Sequence, residues 1–155
     1  MTYVFVLAIG IGIVAGLRAL LAPAMVAWAA HLGWLNLQGS PLAFMGSTAA
    51  VAIFTVLAVG ELVGDKMPQT PKRTALPPLL ARIVTGGLCG ATLCAAAGQS
   101  LLAGALLGGI GGLIGAFAGY EIRKRLVRNL HIKDFFVAIC EDLVAIGLAY
   151  LLVSR

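Results

Sequence analysis

The chain has 155 residues, of which 61% are hydrophobic and 11% are charged, and its mean hydropathy is +1.02. Soluble domains carry about 25% charged residues, so this composition excludes a soluble protein and indicates an integral membrane protein. The formal net charge is +5, but the basic residues fall mostly in short connections beside apolar stretches. Membrane topology explains that placement, so we expect membrane lipids around the protein and no nucleic-acid partner.

The apolar stretches predict an all-α bundle of about five transmembrane helices. A membrane-spanning helix needs about 20 apolar residues. The 20 glycines and few aromatic residues favour closely packed helices over a β-barrel, whose strands would alternate polar and apolar residues. The candidate spans of this single domain are residues 3–30, 41–64, 77–98, 101–122 and 134–153.

The basic connections predict how the chain is oriented. Connection 65–76 contains Lys66, Lys72 and Arg73, and connection 121–134 contains five Lys and Arg residues, whereas 31–40 and 98–100 contain neither type. Basic connections stay in the cytoplasm. Five spans then place the N-terminus in the cytoplasm and the C-terminus outside.

The first candidate span is too long for a straight transmembrane helix. Gly16 and Pro23 lie on either side of Arg18, and Pro23 has no N–H to donate to the carbonyl of Ala19. We expect a bend or break here. Such breaks bind substrates or ions in transporters, although an ordinary proline kink with a satisfied arginine is the alternative.

The fourth candidate span carries glycines at every fourth position on two neighbouring helical faces. Small residues four apart let another helix approach closely. These glycines predict either packing inside the bundle or an interface between copies of the chain, so a homo-oligomer is a possible partner. The two faces consist of Gly104, Gly108 and Gly112, and of Gly111, Gly115 and Gly119.

Charged residues interrupt the apolar stretches near their cytoplasmic ends. Charges within a span cost at least a few kcal/mol on insertion scales, so they persist mainly where they pair or bind a solute. Counting residues from each cytoplasmic end places most of them at similar depth, with Arg18 reaching toward the others. We therefore predict a polar centre that binds a substrate or ion and is formed by Glu61, Asp65, Arg82, Glu141, Asp142 and Arg18.

Two interpretations of this centre remain open. Glu61 and Asp65 are one helical turn apart, a spacing that lets two carboxylates share a cation or a proton. The alternative is a structural network in which Arg18 and Arg82 serve as counter-ions. We predict no cofactor, and a bound cation is possible because acidic residues outnumber the basic ones in this set.

Three segments and the glycine-rich fourth span carry a resemblance to a known family. The segments are Gly16–Pro23, Gly60–Pro68 and Ala81–Arg82. Together they resemble the bacterial small membrane proteins grouped as domain-of-unknown-function family 4126, over most of the chain. The resemblance implies a multi-pass protein of the bacterial inner membrane, and it implies no activity or ligand.

A second likeness is to cation/proton exchangers whose signature is Glu-x-Gly-Asp-Lys/Arg-Thr/Ser in two copies. Here two residues separate Glu61 from Gly64, and Met67 stands where a hydroxyl is expected. The sequence contains no second full copy of the signature.

Three functions compete at this stage. The first is a small transporter or channel that uses the buried acidic residues for a cation, proton or small solute. The second is a membrane scaffold locked by its charges and glycines. The third is an enzyme or binder acting on a lipid phosphate through Arg82, Lys66, Lys72 and Arg73. No Ser/His/Asp set and no paired-carboxylate magnesium motif is evident, so the residues favour the transporter over the enzyme.

Overall fold

The structure is a computed structural model that describes residues 2–64, 76–130 and 134–154. Most of these residues lie in α1 (Thr2–Leu17), α2 (Leu21–His31), a 3-10 helix (Ala43–Gly46), α3 (Thr48–Gly64), α4 (Leu76–Ala96), α5 (Leu101–Leu130) and α6 (Asp134–Val153). No strand occurs in the described part of the chain, so the predicted all-helical class is confirmed.

Three of these helices are long and apolar enough to cross a membrane, as judged by length and composition. Their apolar segments are Leu79–Ala96, Leu101–Leu126 and Phe136–Val153. Shorter apolar segments are Tyr3–Leu17, Leu21–His31 and Thr48–Glu61. The chain is therefore a membrane protein with transmembrane helices.

Local hydrogen bonds explain where several helices begin and end. The Ser47 hydroxyl accepts a bond of 3.1 Å from the backbone N–H of Ala50, which caps α3 and starts it later than the predicted residue 41. Gly98 follows α4 with φ of +71°, a left-handed conformation that suits glycine and ends the helix. The Ser100 hydroxyl then accepts from Ala103 at the start of α5.

Helix α5 continues to Leu130, eight residues beyond the predicted end at 122. Residues 121–130 contain neither glycine nor proline, so nothing in the sequence ends the helix there. Arg125 and Glu121, one turn apart, also form an ion pair of 3.0 Å that supports the helix. Part of the predicted basic connection is thus a helical extension.

The stretch 3–30 forms two helices that run in opposite directions. Tyr3 near the start of α1, Trp34 just after α2 and Val153 at the end of α6 line one cavity of about 260 Å³. The start of α1 and the ends of α2 and α6 therefore share one end of the bundle. The predicted first span is thus divided into two helices, because the chain reverses direction at residues 18–20.

Helices α1, α4 and α5 pack backbone to backbone through glycines. A Cβ added to Gly16 would lie 2.5 Å from the carbonyl oxygen of Gly112, and one added to Gly86 would lie 2.5 Å from that of Gly108. No real Cβ is found that close to a backbone atom, so these positions require glycine at this helix separation.

The two glycine faces of α5 contact different helices of the same chain. Gly104, Gly108 and Gly112 face α4, where their nearest neighbours include backbone atoms of Gly90, Gly86 and Arg82. Gly111 and Gly115 face α1 at Ile9 and Ile13. Gly119 lies further along α5 and lines a cavity next to α6. The glycines thus fix α5 between α1 and α4, and this packing positions the charged residues described next.

Candidate functional site

The connection between α1 and α2 is bound by the Glu61 side chain. The backbone N–H groups of Ala19 and Leu20 donate hydrogen bonds of 2.8 Å each, one to each carboxylate oxygen of Glu61. These amides immediately precede α2, where N–H groups lack helical partners and the helix dipole attracts negative charge. Glu61 is near the end of α3 and reaches this connection from more than 40 residues away in sequence.

Arg82 of α4 binds the other side of the same connection. Its guanidinium donates a hydrogen bond of 2.6 Å to the carbonyl oxygen of Gly16, which belongs to the last turn of α1. Another guanidinium nitrogen lies 3.9 Å from the Glu61 carboxylate, and the side chain is only 5% exposed. A cation thus meets the carbonyl end of α1 and an anion meets the amide end of α2, the arrangement that helix dipoles favour.

Pro23 is located in the first turn of α2. An N–H at that position has no helical acceptor, so the missing donor costs nothing, and the fixed φ of proline favours the helix start. The sequence analysis predicts that the Ala19 carbonyl loses its helical hydrogen bond to Pro23. In the structure Ala19 lies in the connection between α1 and α2, outside both helices. Proline therefore helps to begin a new helix here, and does not bend a continuous one.

Arg18 forms an ion pair with Asp142 of α6. The Arg18 side chain is completely buried, and that of Asp142 is 11% exposed. The backbone N–H of Arg18 donates to Val14 in the last turn of α1, which fixes the residue at the point where α1 ends. The arginine thus anchors the α1–α2 connection to α6.

Glu141 has a different partner from its neighbour Asp142. Its carboxylate lies 3.5 Å from the guanidinium of Arg123 on α5, and the two side chains are 11% and 16% exposed. Sequence reasoning assigned Arg123 to the topology-determining basic connection and missed this role. A signal was available, because Arg123 continues the i, i+4 series of Gly115 and Gly119, whose face points into the bundle.

Three ion pairs lie at one end of the bundle, and we call their six residues the charged cluster. In the cluster, Arg18, Arg82 and Arg123 are paired with Asp142, Glu61 and Glu141 respectively. The cluster is therefore electrically balanced, whereas the predicted polar centre had an excess of acid. The structure brings together five of the six predicted site residues and adds Arg123.

The predicted cation site depends partly on residues that lie outside the described ranges. Asp65, with Lys66, Lys72 and Arg73, falls between residues 64 and 76, so its distance from Glu61 is not part of the structure. Among the described residues, no three His, Cys, Asp or Glu side chains come together as a metal-ion site. The cation remains a prediction.

Comparison with known proteins identifies the family of the chain. The model of the family described as a domain of unknown function, DUF4126, matches residues 5–154. Comparisons with curated proteins and with solved structures give no match. The matched range covers nearly the whole chain and includes every residue of the charged cluster. The chain therefore belongs to the DUF4126 family.

Proposed function

We propose that this membrane protein is a small transporter or channel for a cation, proton or small solute, and that Glu61 controls its α1–α2 connection. The observation that carries this proposal is the pair of 2.8 Å bonds from Ala19 and Leu20 to the Glu61 carboxylate. Interrupted helices whose ends face a charged group are a recurrent feature of substrate and ion sites in transporters. In this proposal the connection has two states, one in which the Glu61 carboxylate binds its amides and one in which these bonds are broken.

Proton uptake by Glu61 would weaken its contacts at the connection. An ionised carboxylate accepts hydrogen bonds at both oxygens, whereas a protonated one has a hydroxyl that acts as a donor. The amide of Ala19 or of Leu20 would then lose a good acceptor, and the attraction of Arg82 would fall. Protonation and a looser α1–α2 connection are therefore coupled in this mechanism.

We infer that the charged cluster lies toward the cytoplasm of a bacterial inner membrane. The last turns of α5 carry Arg123, Lys124, Arg125 and Arg128, and in the sequence the basic segment 65–76 follows α3, whose Glu61 belongs to the cluster. Basic residues beside membrane spans remain cytoplasmic. Because α1 and α2 run in opposite directions, this orientation places both described chain ends on the outer side. In this proposal six helical segments, three of them shorter, take the place of the five spans expected from the sequence.

The balanced charges favour a second candidate, a scaffold whose ion pairs serve only to lock the helices. Each arginine of the charged cluster has a carboxylate partner, as a purely structural network requires. The glycine contacts of α5 add rigidity without offering a solute path. A scaffold would move no ions, so a flux measurement separates the two candidates.

The test is proton flux in proteoliposomes that enclose a pH-sensitive dye, with monovalent and divalent cations offered outside in turn. We expect cation-dependent proton movement with the wild type and a fall to the level of empty liposomes with Glu61→Gln, because glutamine cannot take up a proton. Glu121→Gln is the matched control, since Glu121 is 50% exposed and its partner among the described residues is Arg125, one turn away on α5. It should leave flux unchanged.

Folding is checked by size-exclusion chromatography and circular dichroism of each variant before reconstitution. If Glu61→Gln is poorly folded, Glu61→Asp provides the second test. It keeps the carboxylate, so it should retain part of the flux. Wild-type flux in a folded Glu61→Gln protein would refute the role of Glu61. Absence of flux with every cation in the wild type would favour the scaffold.

A further inference from the structure

A cavity of about 450 Å³ lies between α5 and α6 beside the charged cluster. Pockets that hold small molecules range from about 300 to 1,000 Å³, so its size suits a ligand. The cavity exists because α5 packs mainly on α1 and α4 and touches α6 only sparsely. Its lining is apolar except at Arg123 and Glu141.

The apolar rim of this cavity is open to the surroundings of the protein. Ile122, Phe136 and Val144 are 59%, 55% and 56% exposed, and all three line the cavity. In a membrane protein such a surface faces lipid chains. The lining therefore matches the chemistry of a hydrocarbon chain along most of its length.

Positive charge is concentrated next to the cavity. Arg123 lines it directly, and its side chain is 16% exposed. The last turns of α5 contain one acidic residue, Glu121, and three further exposed basic residues. These are Lys124, Arg125 and Arg128. Basic residues near a membrane surface attract anionic lipids, and a phosphate is a good acceptor for the guanidinium donors of Arg123.

We propose that this cavity binds one acyl chain of an anionic phospholipid, with the lipid phosphate at Arg123. The guanidinium carries five N–H donors, so it can contact a phosphate while remaining paired with Glu141. A second copy of the chain is the less suitable occupant, because a symmetric contact here would bring two identical basic helix ends together. This proposal is independent of proton transport.

The test uses tryptophan quenching by lipids with brominated acyl chains. Val144→Trp places the reporter in the cavity, and Val56→Trp on α3, 69% exposed in the wild type, is the matched control elsewhere on the surface. Both are made in a Trp28→Phe, Trp34→Phe background, because these are the two tryptophans of the chain. Each protein is reconstituted in phosphatidylcholine vesicles containing brominated phosphatidylglycerol or brominated phosphatidylcholine.

At Val144→Trp we expect the binding constant of phosphatidylglycerol to exceed that of phosphatidylcholine by about fivefold, the contribution of one cationic side chain near a membrane surface. The two lipids should quench Val56→Trp equally. Adding Arg123→Gln to Val144→Trp should remove the preference, whereas Arg125→Gln, which removes an exposed cation outside the cavity lining, should reduce it by less. If Arg123→Gln does not fold, Arg123→Lys should retain a preference that decreases as salt is added.

Two results would overturn the proposal. Equal quenching of Val144→Trp by both lipids would mean that the cavity has no selectivity for an anionic headgroup. Absence of quenching by either lipid, together with disulfide cross-linking between the Cys140 residues of two copies, would mean that a second chain covers the cavity. Cys140 is suited to that measurement because it lines the cavity and is exposed, whereas Cys89 and Cys94 are buried.

Discussion

Replacing Gly108 with alanine is expected to destabilise the helical bundle more than any other single-methyl change on α5. A Cβ at this position would meet backbone atoms of Gly86 and would lie 3.1 Å from the Cα of Gly90. Gly12 of α1 also packs against the backbone of Gly108. Overpacking usually costs about 1–3 kcal/mol of stability. Backbone atoms on two sides cannot change rotamer as a side chain can, so we expect the free energy of unfolding to fall by about 3 kcal/mol.

The matched control is Gly147→Ala on α6, where a Cβ would meet nothing within 4 Å. Alanine is the better helix former by about 1 kcal/mol, so this change should be neutral or stabilising. Unfolding in sodium dodecyl sulfate, followed by circular dichroism, measures both variants. Equal stability of the two would show that α1, α4 and α5 are not packed as closely as described.

Replacing Asp142 with leucine should be the most damaging change in the charged cluster. It leaves the completely buried Arg18 without its carboxylate partner. Removing one member of a buried ion pair costs about 3–5 kcal/mol, because the remaining charge stays desolvated. The measurement is the free energy of unfolding in the same detergent series.

Replacing Arg18 as well should recover part of that loss. The double variant Arg18→Met, Asp142→Leu removes both charges, and apolar replacements of a buried pair are often tolerated. Groups in direct contact show coupling energies of about 0.5–3 kcal/mol, so the double variant should be more stable than Asp142→Leu alone. Glu121→Gln, at an exposed pair, should change stability by less than about 0.5 kcal/mol. A double variant that loses the sum of both single changes would argue against direct pairing.

Much of the fold follows from local features of the sequence. Hydropathy predicts the helices of this membrane protein because burial in lipid requires long apolar segments, and α6 begins and ends where its apolar stretch does. The reversal at residues 18–20 is different. Gly16 and Pro23 predict an interruption, but whether the chain continues or turns back depends on Glu61 and Arg82, which bind the connection from α3 and α4.

Part of the candidate site could be predicted from the sequence. Burying a charge in a membrane span costs free energy, so a charged residue that interrupts a span is a candidate for a site. That argument identifies Glu61, Arg82 and Asp142 without the structure. It does not identify their partners, since adjacent Glu141 and Asp142 bind different arginines, Arg123 on α5 and Arg18 in the α1–α2 connection. Arg123 was missed because it stands in a run of basic residues that topology alone explains, and only its helical face distinguishes it.

The charged cluster joins five parts of the fold through side chains: the α1–α2 connection and helices α3, α4, α5 and α6. Glu141 and Asp142 are adjacent on α6, so a displacement there would act on α5 through Arg123 and on the α1–α2 connection through Arg18. Arg123 also lines the cavity proposed for an anionic lipid.

Hydrogen–deuterium exchange of Ala19 and Leu20 tests most directly whether Glu61 controls the α1–α2 connection. In the wild type at neutral pH both amides should be protected, and Glu61→Gln should speed their exchange on the order of tenfold to a hundredfold, since hydrogen bonds to charged groups contribute about 1.5–3 kcal/mol. Equal protection of both amides in the two proteins would contradict the account.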